Sequence, residues 1–176
     1  MKIVFLFLVI FSSALSHSEE LSPKAKASLM KEVEIIKNWG SEADIVNQVK
    51  AANNTETDKS MTQAKWDKLS VLDPFVRGLT KNEAASILKK HKSELITEAF
   101  LNKADGTKVA FLAKTSGWSH KGKAKHDDPM KNKVWIGKVE VDESTGKTQI
   151  QVSVPVIDSG KPIGSLVIGL NVSELK

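Results

Sequence analysis

The 176-residue chain contains no cysteine and a single arginine, Arg77. The first absence excludes disulfides, thiolate metal centres and cysteine nucleophiles. The second argues against nucleic-acid binding, which draws on arginine for bidentate base contacts and stacking. Arg77 falls in a helical stretch, where capping or a surface position is its expected role. The other basic residues are lysines spread along the whole chain, a solubility pattern. There is no Gly-x-Ser-x-Gly elbow and no phosphate-cradling glycine loop. Glu140, Asp142 and Glu143 lie on a strand-like segment and its turn, where solvation and turn formation account for them. The expectation is therefore not an enzyme, and no cofactor is called for. Internal repeats and low-complexity tracts are also lacking.

Long apolar runs are scarce as well. One, Ile3 to Phe11, follows Lys2 and precedes small residues, with Ala14 and Ser16 in the −3 and −1 relation that signal peptidase accepts. It falls short of the ~20 residues of a membrane span. Residues 1–16 are thus expected to be a signal peptide, and residues 17–176 a single exported domain, periplasmic or secreted, without a membrane span. The formal net charge is +5, and loss of residues 1–16 removes only Lys2, leaving +4. A mature chain of about 160 residues is large enough to bury a core of its own.

The mature chain divides into a helical half and a strand half. Ser22-Pro23 is a helix start, and Leu29, Val33 and Ile36 recur at helical spacing beside Met30 and Trp39. "SEAD" (Ser41 to Asp44) can cap a continuation carrying Ile45, Val46 and Val49. Residues 51–60 read as a loop. Thr62 can cap a short helix through Trp66, "DPFVRG" predicts a turn and a helical turn, and Thr80 with Glu83 reads as a capping box for a helix to about Lys90. From Leu95 the period changes. "LITEAFLNKADGTKVAFLAK" is a hairpin around Asp105-Gly106; "KVWIGKVEVDESTGKTQIQVSVPV" is a second around Ser144-Thr145-Gly146; a last strand follows Asp158-Ser159-Gly160. Five strands joined by turns and one long loop pair antiparallel, which makes an α+β domain.

Several blocks of this half, "FLNKADGTKVAFLAKTS", "GKVEVDESTG" and above all "QVSVPVIDSGKPIGSLVIGLNVSEL", resemble the single-module Cache domain, the PAS-like sensor of bacterial extracytoplasmic receptors. The resemblance runs from about Leu21 to Lys176. It implies a five-stranded sheet of order 2-1-5-4-3, a long N-terminal helix on one face and a small-ligand pocket on the other, under the connection between strands two and three. Members of that family usually sit between membrane helices, ahead of a kinase, cyclase or chemotaxis module. After "KTS" many of them continue with Asp-Tyr and an acidic segment. Here Gly117, Trp118, Ser119 and His120 follow, and lysines replace the acids.

That connection, "KTSGWSHKGKAKHDD" (Lys114 to Asp128), is the most informative stretch. Trp118 offers an apolar wall and an N–H donor; His120, His126, Lys121, Lys123 and Lys125 offer charge or hydrogen bonds. The set suits a small carboxylate such as pyruvate, lactate, acetate or a dicarboxylate, because each contact to it is charge-assisted. The predicted ligand-binding residues are Trp118, His120, Lys123, His126, Trp135 and Ser153. Trp135 and Val139 are expected on one strand face, with Gly137 between them. The file Gln149, Gln151, Ser153 alternates with Ile150, Val152, Val154 and faces either pocket or solvent. A signalling partner, a membrane receptor or kinase, would read occupancy. Two alternatives are a metal site built from His120, His126, Asp127 and Asp128, and an adaptor whose pocket is filled by side chains. A sensor should show a closed polar cavity under residues 114–136; an adaptor would fill it and expose an apolar patch elsewhere.

Overall fold

The computed structural model describes residues 20–142 and 146–176. The expected signal peptide and the Ser144-Thr145 turn lie outside the described residues. Helix α1 (Pro23–Trp39) begins where Ser22 Oγ accepts from Ala25 N at 3.1 Å, with proline at the first turn. Ala25, Leu29, Val33 and Ile36 form its buried stripe. Gly40 ends it in direct apposition to β4 (Thr148–Asp158), and a Cβ there would run into the backbone oxygen of Pro155. Gly40→Ala is accordingly expected to cost about 1–3 kcal/mol of stability through overpacking, measurable by urea unfolding.

Helix α2 (Ala43–Asn53) extends further into the polar 51–60 stretch than its composition suggests, and its N-cap residue, Glu42, makes no side-chain cap bond. The "SEAD" cap is therefore not formed. Helix α3 (Gln63–Lys68) is capped by Thr62 as expected, its hydroxyl accepting from Lys65 N at 3.2 Å. Helix α4 (Pro74–Lys81), capped by Asp73, continues through Thr80, and α5 (Glu83–Lys90) starts instead at Asn82, whose Oδ1 accepts from Ala85 N at 2.8 Å. The Thr80–Glu83 capping box is corrected by this. A stronger cap two residues later leaves the Thr80 hydroxyl to donate to Arg77 O at 3.0 Å.

The five strands are β1 (Ile96–Lys103), β2 (Lys108–Phe111), β3 (Trp135–Val141), β4, and β5 (Lys161–Asn171). They form one antiparallel sheet, as the turn-linked strands predict, in the order β2-β1-β5-β4-β3 that the Cache resemblance implies. Alternation gives the sheet two different faces. Leu101, Ile150, Val152, Val154, Val156, Leu166, Ile168 and Leu170 meet α1, α2 and α5 in the main core. Each such side chain contributes about 1.5–3 kcal/mol when removed from water. The other face carries Glu98, Phe100, Asn102, Gln149, Gln151, Ser153, Ser165 and Val167, and is covered by α3, α4 and the β2–β3 connection.

The Gln149, Gln151 and Ser153 file is buried on this second face and turned away from solvent. Trp135 and Val139, by contrast, do not share a face. Trp135 pairs with Ser153 and Val139 with Ile150, because a bulge between Ile136 and Val139 adds a residue to the edge strand and reverses the alternation. The Trp135 ring folds back over Gly137 of its own strand.

Candidate functional site

The β2–β3 connection is well structured. Residues Ala124–Asp127 form a short helix, α6, and Pro129–Lys131 a 3-10 turn. Two anchors hold this connection over the sheet. At its start, Trp66 of α3 is fully buried, donates from Nε1 to Thr115 O at 2.8 Å, and packs with Trp118 and Phe111. Gln63 grips the same turn, Nε2 donating to Ser116 O at 2.7 Å and Oε1 accepting from Trp118 N at 2.9 Å. At its far end, Ser153 Oγ donates to Lys125 O at 2.6 Å, and the His126 ring bonds Ser165 Oγ at 2.8 Å and Ala104 O at 3.3 Å. Between them, Gly106, with φ +83°, brings the β1–β2 turn against the backbone of Lys121, and its carbonyl accepts from His120 N at 2.9 Å. No L side chain fits this conformation and close approach together.

Beneath the connection lies a cavity of about 630 Å³, bordered by Glu98 and Phe100 of β1, Gln149 and Gln151 of β4, Thr115, His120 and Lys125 of the connection, and Glu140 of β3. Its loop side is basic and its groups are linked. Lys108 Nζ lies 2.7 Å from His120 Nδ1, donates to Asn102 Oδ1 at 2.8 Å, and stands 4.2 Å from the Phe100 ring centroid. Lys125 Nζ donates to Gln151 Oε1 at 2.8 Å. Glu98, the acid nearest to these groups on the sheet, already accepts from both Gln149 and Gln151. Among the described residues no carboxylate comes within ion-pair distance of Lys108 or Lys125.

Desolvation dominates the protonation of the cluster. It pushes Lys108 well below the ordinary lysine value, with Lys125 and Lys123 adding repulsion and Glu98 opposing. Lys125 is lowered for the same first reason, against Glu98 and Glu140. His120 falls to about 2, through burial and then the nearby Lys108 and Lys125. His126 is lowered by burial, partly offset by its bond to Ala104 O. With Lys108 donating to Nδ1, neutral His120 carries its proton on Nε2, the nitrogen that faces Gly117.

Of the six predicted ligand-binding residues, His120 borders this cavity. His126 and Ser153 stand just behind it, engaged in holding the connection to β5 and β4. Trp118 lies in the apolar cluster with Trp66, Phe75 and Phe111 and borders a different cavity. Lys123 is exposed at the start of α6, and Trp135 is half-buried on the edge strand. Lys108, Glu98, Phe100 and Asn102 escaped the sequence reading. The available signal was the two-residue spacing of Glu98, Phe100 and Asn102 along β1, with Lys108 opposite Asn102 across the hairpin. Among the described residues, no three His, Asp or Glu side chains converge as metal ligands do, and Asp127 is engaged with Gly122 N at 3.0 Å.

No family model and no curated protein matches the chain. Solved structures do. The sensor domain of the V. cholerae histidine kinase DctB superposes with a TM-score of 0.52 at 14% identity, over 85% of this chain and 51% of that one. The fold is that of Cache-type sensor domains. The ligand-binding domain of the Pseudomonas aeruginosa PAO1 amino-acid chemoreceptor PctC, in complex with GABA, gives 0.46 at 17% identity over 86% and 58%. The sensory domain of the Campylobacter jejuni chemoreceptor Tlp3, with isoleucine bound, gives 0.44 at 16% over 89% and 66%. The chain thus spans about half the length of the DctB sensor domain. Among the described residues no helix is long and apolar enough to cross a membrane.

Proposed function

We propose that this Cache-type domain is an exported sensor or binding module that captures a small carboxylate in the cavity beneath the β2–β3 connection. The observation that carries this reading is the cluster of buried Lys108 and His120 with half-buried Lys125 at the loop side of an open polar cavity, with no acid among the described residues within ion-pair distance of either amine. An anion entering there restores the favourable state of both lysines: its charge opposes the desolvation that depresses them, and each contact is charge-assisted. Lys125 is the first contact, the His120 ring lines the wall, and Lys108 stands behind that ring. Glu140 on the β3 side repels the carboxylate and directs it to the loop side. His126 and Ser153 act by positioning the connection. Residues 1–16 support placement outside the cytoplasm, and a separate membrane receptor or kinase would read occupancy.

Thermal unfolding against small carboxylates tests this. A ligand at one hundred times its dissociation constant should stabilise the fold by about 2.7 kcal/mol, and Lys125→Met should abolish the response while leaving the unliganded midpoint nearly unchanged. Stabilisation that persists undiminished in both Lys125→Met and His120→Asn would move the site elsewhere.

A further inference from the structure

A second cavity, about 400 Å³, opens at the β2 edge of the sheet. Lys108 borders it, whereas His120, the partner of Lys108, borders the polar cavity, so this pair stands between the two. The chemistry of the second cavity is different. Ala51 and Ala52 of α2, Phe75 and Leu79 of α4, Val109 of β2 and Trp118 give it an apolar wall. Phe75 and Trp118 meet in a tilted contact, ring centroids 5.5 Å apart and planes at 60°, yet Phe75 keeps 36% of its surface exposed. That is aromatic surface left uncovered in a concavity.

The polar groups around this wall are already engaged. Lys103 Nζ donates to Thr55 O at 2.7 Å and Thr57 Oγ1 at 2.6 Å. Asn82 donates to Val109 O at 2.8 Å and caps α5 with its oxygen. Lys108 is held by Asn102 and His120. Glu56 pairs with Lys59 at 3.0 Å, and Asp58 accepts from Ser60 N at 2.8 Å. Gln48, on the α2 side, makes no side-chain hydrogen bond among the described residues. An occupant therefore meets apolar and aromatic surface, one available amide, and charges of both signs that are committed to other partners. Apolar walls with a few convergent polar groups describe small-molecule sites generally.

We propose that this cavity is a second binding site, separate from the carboxylate site, for a small uncharged compound with an aromatic or branched aliphatic body and one hydrogen-bonding group. Glu56 and Asp58 at its border disfavour an anion, and Lys103 and Lys108 disfavour a free cation. The amide of Gln48 sets the hydrogen bond, and Phe75 with Trp118 takes the apolar body.

The test is an amide-resolved NMR titration of the protein with benzyl alcohol, repeated in Ala51→Trp, which fills the cavity from an exposed position on α2, and in Phe75→Ala, which removes half of the aromatic wall. Saturable shifts are expected at residues 48–52, at Phe75 and Val109 and at the Trp118 indole, with affinity reduced at least several-fold in both variants. A pyruvate titration run in parallel should move the amides of His120 and Lys125 equally in wild type and variants. Shifts that rise linearly without saturating, or that are unchanged in Phe75→Ala, overturn the second site whether or not Ala51→Trp folds. Failure of the pyruvate arm alone would count against the carboxylate site and leave the second site standing.

Discussion

Trp66→Ala is expected to lower the unfolding free energy by about 3–5 kcal/mol, among the larger losses a single substitution can cause. Trp66 is fully buried, and its indole joins three parts of the molecule: it packs edge-on to Phe111 of the sheet, lies against Trp118 of the connection, and donates to Thr115 O. Truncation leaves a large void on the second face and an unsatisfied carbonyl at the start of the connection. Urea unfolding reads the loss directly. Trp66→Phe separates the two contributions, since it keeps most of the packing but removes the hydrogen bond; it should cost about 1–3 kcal/mol. A loss below 1 kcal/mol for Trp66→Ala would mean that the second apolar cluster does not hold α3 and the connection to the sheet.

The second large effect is on acid stability. His120 is held neutral with its pKa lowered from 6.5 to about 2, and His126 is lowered from 6.5 as well, in both cases chiefly by burial. Each therefore binds protons more weakly folded than unfolded. The stability they contribute is complete above pH 6.5 and is lost as pH falls below it, because the unfolded chain takes up protons that the fold refuses. The loss for His120 proceeds at about 1.4 kcal/mol per pH unit and continues far into the acid range. The neighbouring Lys108, Lys125 and Lys123 oppose a charge on the ring and do not relieve the penalty. Urea midpoints measured from about pH 8 down to about pH 5 should be flat at first and then fall, more shallowly in His120→Asn. A midpoint that does not change over this interval would mean that the imidazoles protonate freely in the folded protein.

Most of the fold is legible in the sequence because its signals are local. Ser22-Pro23 and Thr62 mark helix starts through caps made within three residues, and the strands of the second half show their alternation directly. The errors arise where one local signal competes with another. Thr80 and Glu83 satisfy the capping pattern, but Asn82 makes the better cap and also reaches across to Val109 O, a tertiary bond that the pattern does not contain. The bulge in β3 is likewise invisible to a rule of strict alternation, so Trp135 and Val139 read as neighbours although they lie on opposite faces.

The candidate site was partly legible for a related reason. His120 and Lys125 stand out within a loop rich in charge. Lys108 looks like an ordinary strand lysine until the sheet order and the returning connection place it against His120, twelve residues away, and bury it over Phe100. Trp118 also stands out in that loop, as an apolar wall, but it packs in the second apolar cluster and borders a different cavity. Its partners, Trp66 and Phe75, come from helices that the sequence gives no reason to bring there.

The most direct test of the carboxylate site is isothermal titration of the protein with pyruvate, lactate, acetate and succinate in two buffers of different ionisation enthalpy. Saturable one-to-one binding by at least one of them is expected, with net proton uptake, because an anion beside Lys125, His120 and Lys108 raises proton affinities that burial holds down. Lys125→Met should abolish the binding. Absence of heat with all four, or binding with no proton uptake and unchanged affinity in Lys125→Met, would contradict it.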